Sequence, residues 1–225
     1  MQRKIYGIFV AGGSGSRMGS ALPKQFIELE GIPILQRTIE RFLEAVPGLK
    51  VIVVLPGHYI EQWKTMCLEG GLDCPQIIVP GGITRFHSVR NALDRVPDGA
   101  VVMIHDGVRP LLSADMIRSM LDRILRSSSR ALVPAVPVVD TLRTRDGSPA
   151  PDRSNTVAVQ TPQIFLSEDI KAAYGHAYSD SFTDDASVAE ANGIRVDLCP
   201  GERFNIKITT PEDLVLARAI VNQTL

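Results

Sequence analysis

The stretch that decides the fold class is Ile5-Tyr6-Gly7-Ile8-Phe9-Val10-Ala11-Gly12-Gly13-Ser14-Gly15-Ser16-Arg17-Met18-Gly19, in which an apolar run leads directly into a glycine-rich loop. A short apolar run bounded by such a loop is typical of a buried strand. Glycines let the backbone approach a ligand closely and point its N–H groups at an anion. Open α/β sheets bind ligands at the carboxyl ends of their strands. The stretch therefore predicts an α/β protein with an anion site after its first strand.

The rest of the chain alternates apolar runs with segments of helical period, which indicates βαβ units. We predict a Rossmann-like, mostly parallel open sheet flanked by helices. Ser113 is expected to cap one helix, and Thr210 is expected to cap the last one, which begins at Pro211. The predicted strands are 5–10, 51–55, 77–79, 101–105 and 131–136, and the predicted helices are 34–45, 59–69, 84–95, 114–126 and the segment from 211 onward.

A segment near residues 137–160 departs from this alternation and predicts a projecting β-hairpin arm. Val138–Thr144 has the composition of a strand, Arg145–Pro149 that of a turn, and Thr156–Gln160 that of a returning strand. A lone hairpin cannot bury both of its faces, so we expect the arm to pack on a second subunit. Residues 1–225 are expected to form one domain that includes this arm.

The composition excludes several classes of protein. The 225 residues include 24 Lys and Arg against 25 Asp and Glu, a net charge of −1, which gives no electrostatic footprint for nucleic acid or a membrane surface. No apolar run approaches the length of a membrane span. The three cysteines have spacings that suit neither a zinc site nor a redox pair, so we expect reduced cysteines in a cytoplasmic protein.

The first loop fails two familiar phosphate-binding motifs. A GxGxxG pattern from Gly13 would need glycine where Met18 stands, and Lys24 is not followed by the Ser or Thr of a GxxxxGK[ST] motif. Because Leu55 is followed by no acidic residue, an NAD-dependent dehydrogenase is also disfavoured. What remains is a glycine-rich loop with two cations, Arg17 and Lys24. Two fixed cations suit a triphosphate whose α-phosphorus is attacked while pyrophosphate leaves.

The loop and the following Leu22-Pro23-Lys24-Gln25-Phe26 resemble the polyol-phosphate cytidylyltransferases, most closely those that use 2-C-methyl-D-erythritol 4-phosphate. The resemblance covers essentially the whole chain. It implies a nucleotidyltransferase-type fold, transfer of CMP from CTP to the polyol phosphate in non-mevalonate isoprenoid biosynthesis, Mg²⁺ as cofactor and a homodimer. It returns in six further motifs: Gly81–Val89, His105–Pro110, Asp140-Thr141, Thr161-Pro162-Gln163, Thr183–Ser187 and Asn205–Thr209.

The resemblance also assigns expected roles to residues. The expected catalytic residues are Arg17, Lys24, Arg153 and Lys207. The expected nucleotide-binding residues are Ala11, Gly12, Gly13, Ser14, Gly15, Gly82, Ser88 and Asp106. The expected acceptor-binding residues are Arg109, Thr141, Arg153, Thr161, Thr183 and Lys207. The resemblance further implies that Thr141 and Arg153 reach the neighbouring subunit's site, and that Asp106 contacts the ribose or the Mg²⁺ region, with the metal held mostly by the CTP phosphates.

Several alternatives remain open at this point. The acceptor could be ribitol 5-phosphate in place of the methylerythritol phosphate. A sugar-1-phosphate nucleotidyltransferase that uses another nucleotide is a more distant alternative. A nucleotide-binding module without catalytic activity is an alternative from outside the enzymes. Asp106 could be an ordinary turn residue, and Asp184 and Asp185 could begin a helix or contact a ligand. A phosphate monoester is already largely dianionic near neutral pH, with a second pKa of about 6, so the reaction needs no general base. His105 is therefore expected to be a packing residue.

Overall fold

A computed structural model describes residues 3–13, 22–148 and 152–224 of the chain. The strands are β1 (Ile5–Val10), β2 (Glu28–Leu29), β3 (Ile32–Pro33), β4 (Lys50–Leu55), β5 (Gln76–Pro80), β6 (Val101–Asp106), β7 (Ala131–Pro137), β8 (Val157–Val159), β9 (Gln163–Leu166) and β10 (Asp197–Pro200). The helices are α1 (Ile34–Ala45), α2 (Ile60–Glu69), α3 (Arg85–Leu93), α4 (Ala114–Arg126), α5 (Ser167–Tyr174), α6 (Asp185–Ala191) and α7 (Pro211–Thr224).

The main sheet has the strand order β10-β7-β9-β6-β1-β4-β5, with β8 paired to β7. The pairs β1–β4, β1–β6, β4–β5 and β7–β10 are parallel, whereas β9 runs antiparallel between β6 and β7. The register aligns Val10 with both Val54 and Asp106. The loops that follow β1, β5 and β6 therefore meet at one edge of the sheet.

The core lies on both faces of this sheet, because successive residues of a strand point to opposite faces. Phe9 of β1 packs on one side with Phe42 of α1 and Trp63 of α2. Ile8, on the other side, belongs to a second cluster that includes Phe86 of α3. Helices thus cover both faces, as the predicted Rossmann-like architecture requires.

The strongest periodic segments were predicted to the residue. Helices α1 and α4 have the expected bounds, and the Ser113 hydroxyl accepts a hydrogen bond from the Met116 N–H at 3.0 Å as the expected cap of α4. Helix α7 begins at Pro211, as expected. Strand β9, helix α5 and strand β10 were not predicted from the sequence, and α6 was predicted only as one of two alternatives for Asp184 and Asp185. None of the helices in the described ranges is long and apolar enough to cross a membrane.

The arm differs from the predicted hairpin. Strand β7 ends at Pro137, and Val138–Thr144 does not form the outgoing strand that its composition predicted. The turn after it is present, with Gly147 at φ +84°, although Pro149 lies outside the described residues. The returning strand is the shorter β8, which pairs with the last residues of β7. We attribute the difference to pairing, because Val138–Thr144 extends beyond the sheet, where β8 offers it no partner.

Candidate active site

Two adjoining cavities lie at the edge of the sheet where β1 and β6 end. The first has a volume of about 260 Å³ and the second about 170 Å³. They share three lining residues, Arg85, Asp106 and Lys207, so these side chains form a common wall. A larger cavity of about 470 Å³ lies between α1, α4 and α7, but none of the predicted site residues lines it. Position at the strand ends, and not volume, identifies the site.

One side of the first cavity is the start of the glycine-rich loop. The Ala11 N–H donates to the Val54 carbonyl at 2.9 Å, and the Gln25 side-chain amide donates to the Ala11 carbonyl at 2.8 Å. Gln25 is 1% exposed and follows Lys24 on a short 3₁₀ turn, Lys24–Phe26. Gln25 therefore fixes the start of the loop at Ala11 and places Lys24 on the cavity wall. This role of Gln25 was not predicted from the sequence, in which its position beside Lys24 was the only signal.

The opposite side of the first cavity is the loop before α3. The Gly82 N–H donates to the Ser88 hydroxyl at 3.0 Å, and that hydroxyl donates to the Thr84 carbonyl at 3.0 Å. A Cβ placed on Gly82 would lie 2.4 Å from the His87 Cβ, so only glycine fits here. A Cβ on Gly12 would lie 3.7 Å from the Ser88 hydroxyl, which shows that the two sides meet at this end of the cavity.

The shared wall is a buried carboxylate surrounded by three cations. Oδ2 of Asp106 lies 3.2 Å from Arg109 Nε and 3.1 Å from Lys207 Nζ, and Oδ1 lies 3.9 Å from Arg85 Nε. Burial by itself would raise the pKa of Asp106, but Arg85, Lys207 and Arg109 outweigh it and hold that pKa well below its usual value. Asp106 is therefore ionised at neutral pH and orients the cations that face both cavities.

Arg85 is held by a second buried carboxylate. Its two terminal nitrogens donate to the two oxygens of Asp185 at 2.8 and 2.7 Å, and the Tyr174 hydroxyl donates to the same carboxylate at 2.6 Å. Asp184 caps α6 through a reciprocal pair of hydrogen bonds with Ser187. The two neighbouring acids thus have different roles: one begins the helix and the other anchors Arg85. This role of Arg85 was not predicted from the sequence, because its partner is 100 residues away in the chain.

The second cavity is bounded by Thr161 and by a buried histidine behind it. Thr161 Oγ1 accepts a hydrogen bond from the Asp106 N–H at 3.1 Å and lies 3.0 Å from His105 Nδ1. His105 Nε2 lies 3.1 Å from the Arg109 carbonyl, which can only accept, so Nε2 carries the proton and Thr161 donates to Nδ1. Burial lowers the pKa of His105 to about 3, so the ring is neutral. The expected packing role of His105 is confirmed, since it is fully buried.

The other predicted site residues fall into three groups. Arg109 and Thr183 line the second cavity. Thr141 and Arg153 lie on the exposed arm and line neither cavity, and the Arg153 guanidinium donates to the Val139 carbonyl at 3.0 Å. Ser14, Gly15 and Arg17 lie outside the described residues. The residues assigned from the sequence to CTP and to the acceptor therefore line adjoining cavities, except for those on the arm and those in the undescribed part of the loop.

Comparison with known proteins gives one consistent result. The family model described as "IspD: 2-C-methyl-D-erythritol 4-phosphate cytidylyltransferase" matches residues 5–223. Curated proteins of that name from Bacteroides fragilis and Porphyromonas gingivalis W83 are 46% identical over 217 residues and 45% identical over 224 residues. These alignments cover 95% and 98% of this chain, and 98% and 99% of the respective relatives.

Solved structures give the same result for the fold. The 4-diphosphocytidyl-2C-methyl-D-erythritol synthase of Anaerococcus prevotii superposes with a TM-score of 0.81 at 27% identity, covering 98% of this chain and 99% of that one. The 2-C-methyl-D-erythritol 4-phosphate cytidylyltransferase of Thermus thermophilus superposes with a TM-score of 0.73 at 30% identity, covering 99% of this chain and 100% of that one. The predicted fold class is therefore confirmed.

Proposed function

Because the chain belongs to the 2-C-methyl-D-erythritol 4-phosphate cytidylyltransferase family, we propose that its two adjoining cavities hold CTP and the acceptor side by side. The protein is a cytidylyltransferase. It transfers CMP from CTP to 2-C-methyl-D-erythritol 4-phosphate, giving 4-diphosphocytidyl-2-C-methyl-D-erythritol and pyrophosphate in isoprenoid precursor biosynthesis. The observation that carries the assignment of the cavities is their common wall, which brings one set of cations against both substrates.

CTP occupies the first cavity, with its base at the end where Gly12 meets Ser88. The space there is narrow, because Gly82 is held against α3 by the Ser88 hydroxyl. A pyrimidine fits such a space where a purine is too large. The triphosphate extends along the glycine-rich loop toward Lys24, which lines the same cavity. Lys24, together with Arg17 of the same loop, stabilises the charge that develops on the α-phosphate and on the leaving pyrophosphate.

The acceptor phosphate lies in the second cavity and attacks the α-phosphorus across the common wall. Lys207 lines both cavities and contacts Asp106, so it can bind the attacking phosphate beside the reacting phosphorus. Arg109 and Thr183 contact the acceptor from the same cavity. The phosphate arrives as a dianion, so no residue has to remove a proton, and neutral His105 is not a base here. Positioning and electrostatic stabilisation account for catalysis.

We propose that Mg²⁺ accompanies CTP. Among the described residues no group of three or more acidic, histidine or cysteine side chains is arranged to hold a metal ion. Asp106 fits as one ligand, directly or through water, because within the described ranges its Oδ1 makes only the long contact of 3.9 Å with Arg85. Most ligands would then be phosphate oxygens of CTP. Bound there, Mg²⁺ would neutralise part of the charge on the triphosphate.

We propose that the active form is a homodimer in which the arm of one subunit completes the acceptor site of the other. In a monomer, apolar side chains of the arm would be in contact with water, because Val139 is 66% and Val159 is 45% exposed. Thr141 and Arg153 lie on this arm and line neither cavity of their own chain.

The free cysteines Cys67, Cys74 and Cys199 support a reducing, cytoplasmic location.

The test is an assay of pyrophosphate release from CTP with 2-C-methyl-D-erythritol 4-phosphate and, separately, with ribitol 5-phosphate. We expect the methylerythritol acceptor to be used about 100-fold more efficiently, because one extra or missing carbon group in a fitted pocket typically changes kcat/KM by about 10–200-fold. Equal use of both acceptors would contradict the assignment. Lys207→Ala should lower turnover about 10²–10³-fold. Lys64→Ala, which removes an exposed lysine from α2, is the matched control.

A further inference from the structure

The segment that carries Lys207 has almost no regular structure to hold it. Residues 201–209 form neither helix nor strand. Among the described residues, hydrogen bonds between backbone groups tie it to other segments at two points: the Gly201 N–H donates to the Ala135 carbonyl at 2.8 Å, and the Ile208 N–H donates to the Val108 carbonyl at 2.9 Å. The ammonium of Lys207 nevertheless lies 3.1 Å from Asp106. Side-chain contacts must therefore fix the segment between those two points.

Gln160 supplies several of those contacts, in addition to the hydrogen bond that the Ser113 N–H donates to the Glu202 carboxylate at 2.8 Å. Its side-chain amide donates to the Glu202 carbonyl at 2.8 Å and accepts from the Glu202 N–H at 3.2 Å, so it binds both polar groups of one residue's backbone. Its oxygen also accepts from the Asn205 side chain at 3.3 Å. A Cβ on Gly201 would lie 2.6 Å from the Gln160 oxygen, so this close approach requires glycine. Gln160 is 7% exposed, which strengthens each of these hydrogen bonds.

Asn205 extends the same network to the site. Its side-chain amide donates to the Thr161 carbonyl at 2.8 Å. Its backbone carbonyl accepts a hydrogen bond from the Arg109 guanidinium at 2.8 Å. Asn205 is fully buried and stands two residues before Lys207. Gln160 and Asn205 together therefore hold the segment from Glu202 to Asn205, two residues before Lys207, whose ammonium contacts Asp106.

We propose that Gln160 is a positioning residue for the reaction and acts through Lys207. This inference rests on the proposed function, in which Lys207 binds the attacking phosphate. Gln160 directly follows β8 of the arm and donates its backbone N–H to the Pro134 carbonyl at 2.8 Å. It thus joins the base of the arm to the segment that carries Lys207. A misplacement of about 1 Å at a reacting group can cost about 100-fold in rate, so loosening this segment should be measurable.

The test is a double-mutant cycle with Gln160→Ala, Lys207→Ala and the double variant, measured as kcat/KM for the polyol phosphate at saturating CTP. We expect Gln160→Ala to lower kcat/KM about 10–100-fold, mainly in kcat. In the Lys207→Ala background the same change should cost no more than about twofold, because the residue it positions is already absent. Gln62→Ala, an exposed glutamine of α2, is the matched control and should retain wild-type activity.

Each other outcome has a distinct meaning. If Gln160→Ala costs the same factor with and without Lys207, Gln160 does not act through Lys207 and the inference is wrong, although the proposed function stands. If Lys207→Ala alone keeps wild-type turnover, the proposed role of Lys207 fails and the inference fails with it. Gln160→Met retains most of the side-chain volume without its hydrogen bonds, and it replaces Gln160→Ala in the cycle if that variant does not fold. A Gln160→Met variant with wild-type kcat would overturn the inference.

Discussion

The substitution Gly82→Ala tests the CTP cavity most sharply, because it adds a single methyl group. The new Cβ would lie 2.4 Å from the His87 Cβ and 2.9 Å from the His87 carbonyl carbon, whereas ordinary contacts begin near 3.4 Å. The Gly82 loop must therefore move away from α3 by about 1 Å, and a displacement of that size can cost about 100-fold in rate. The hydrogen bond from Gly82 to Ser88, 3.0 Å long, would be lost. We expect kcat/KM for CTP to fall about 100-fold, mostly through KM.

The assay is pyrophosphate release at varied CTP and saturating polyol phosphate, together with a thermal melt. Loss of one hydrogen bond costs about 1 kcal/mol, so the melting temperature should fall by only about 2–4 °C in a chain of this size. Gly57→Ala is the matched control, because a Cβ there meets nothing within 4 Å and Gly57 lines neither cavity of the site. A Gly82→Ala enzyme with the wild-type KM for CTP would refute the placement of the base.

Three further predictions follow from other parts of the molecule. Lys24→Ala should lower kcat about 10²–10³-fold with little change in melting temperature, as turnover assays and thermal melts of the pure variant would show. Ile83 lines the CTP cavity and is 95% exposed, so we expect bound CTP to cover its side chain. Ile83→Ala should therefore raise KM for CTP about 3–10-fold, and an unchanged KM would contradict that contact. The hydrogen bond from Arg3 lowers the pKa of Glu168 to about 2, so its stabilising effect is present above pH 4.5 and is lost as the pH falls toward 2. Glu168→Gln should reduce the difference in stability between pH 7 and pH 2.5, measured by urea unfolding, and an unaltered difference would contradict the pairing.

The parts of the fold that the sequence predicted well are those determined by local pattern. Helix α4 combines an apolar stripe with a capping serine, and its bounds were predicted to the residue. The predicted strand Val138–Thr144 was wrong because strand-forming residue types cannot make a strand without a neighbour to pair with. Strand β9, only four residues long, was missed because its position depends on antiparallel pairing with β6 and β7, which no local pattern reveals.

The same distinction between local pattern and long-range contacts applies to the candidate site. A glycine-rich loop with cations after a strand is visible in the sequence, and Lys24 was assigned to the site from it. Gly82 and Lys207 were assigned from the resemblance to the cytidylyltransferase family. The residues that hold the site together are not visible in this way. Arg85 depends on a carboxylate 100 positions away, and Gln160 depends on the backbone of Glu202. Such roles arise only when distant segments are packed together.

The central claim is that CTP and the acceptor lie on either side of the wall formed by Arg85, Asp106 and Lys207. A crystal structure of the protein with bound CTP tests it most directly. We predict that the cytosine lies between Gly12 and Gly82 and that the α-phosphate faces Lys207. A nucleotide bound in the larger cavity between α1, α4 and α7, with this wall left in contact with solvent, would contradict the account.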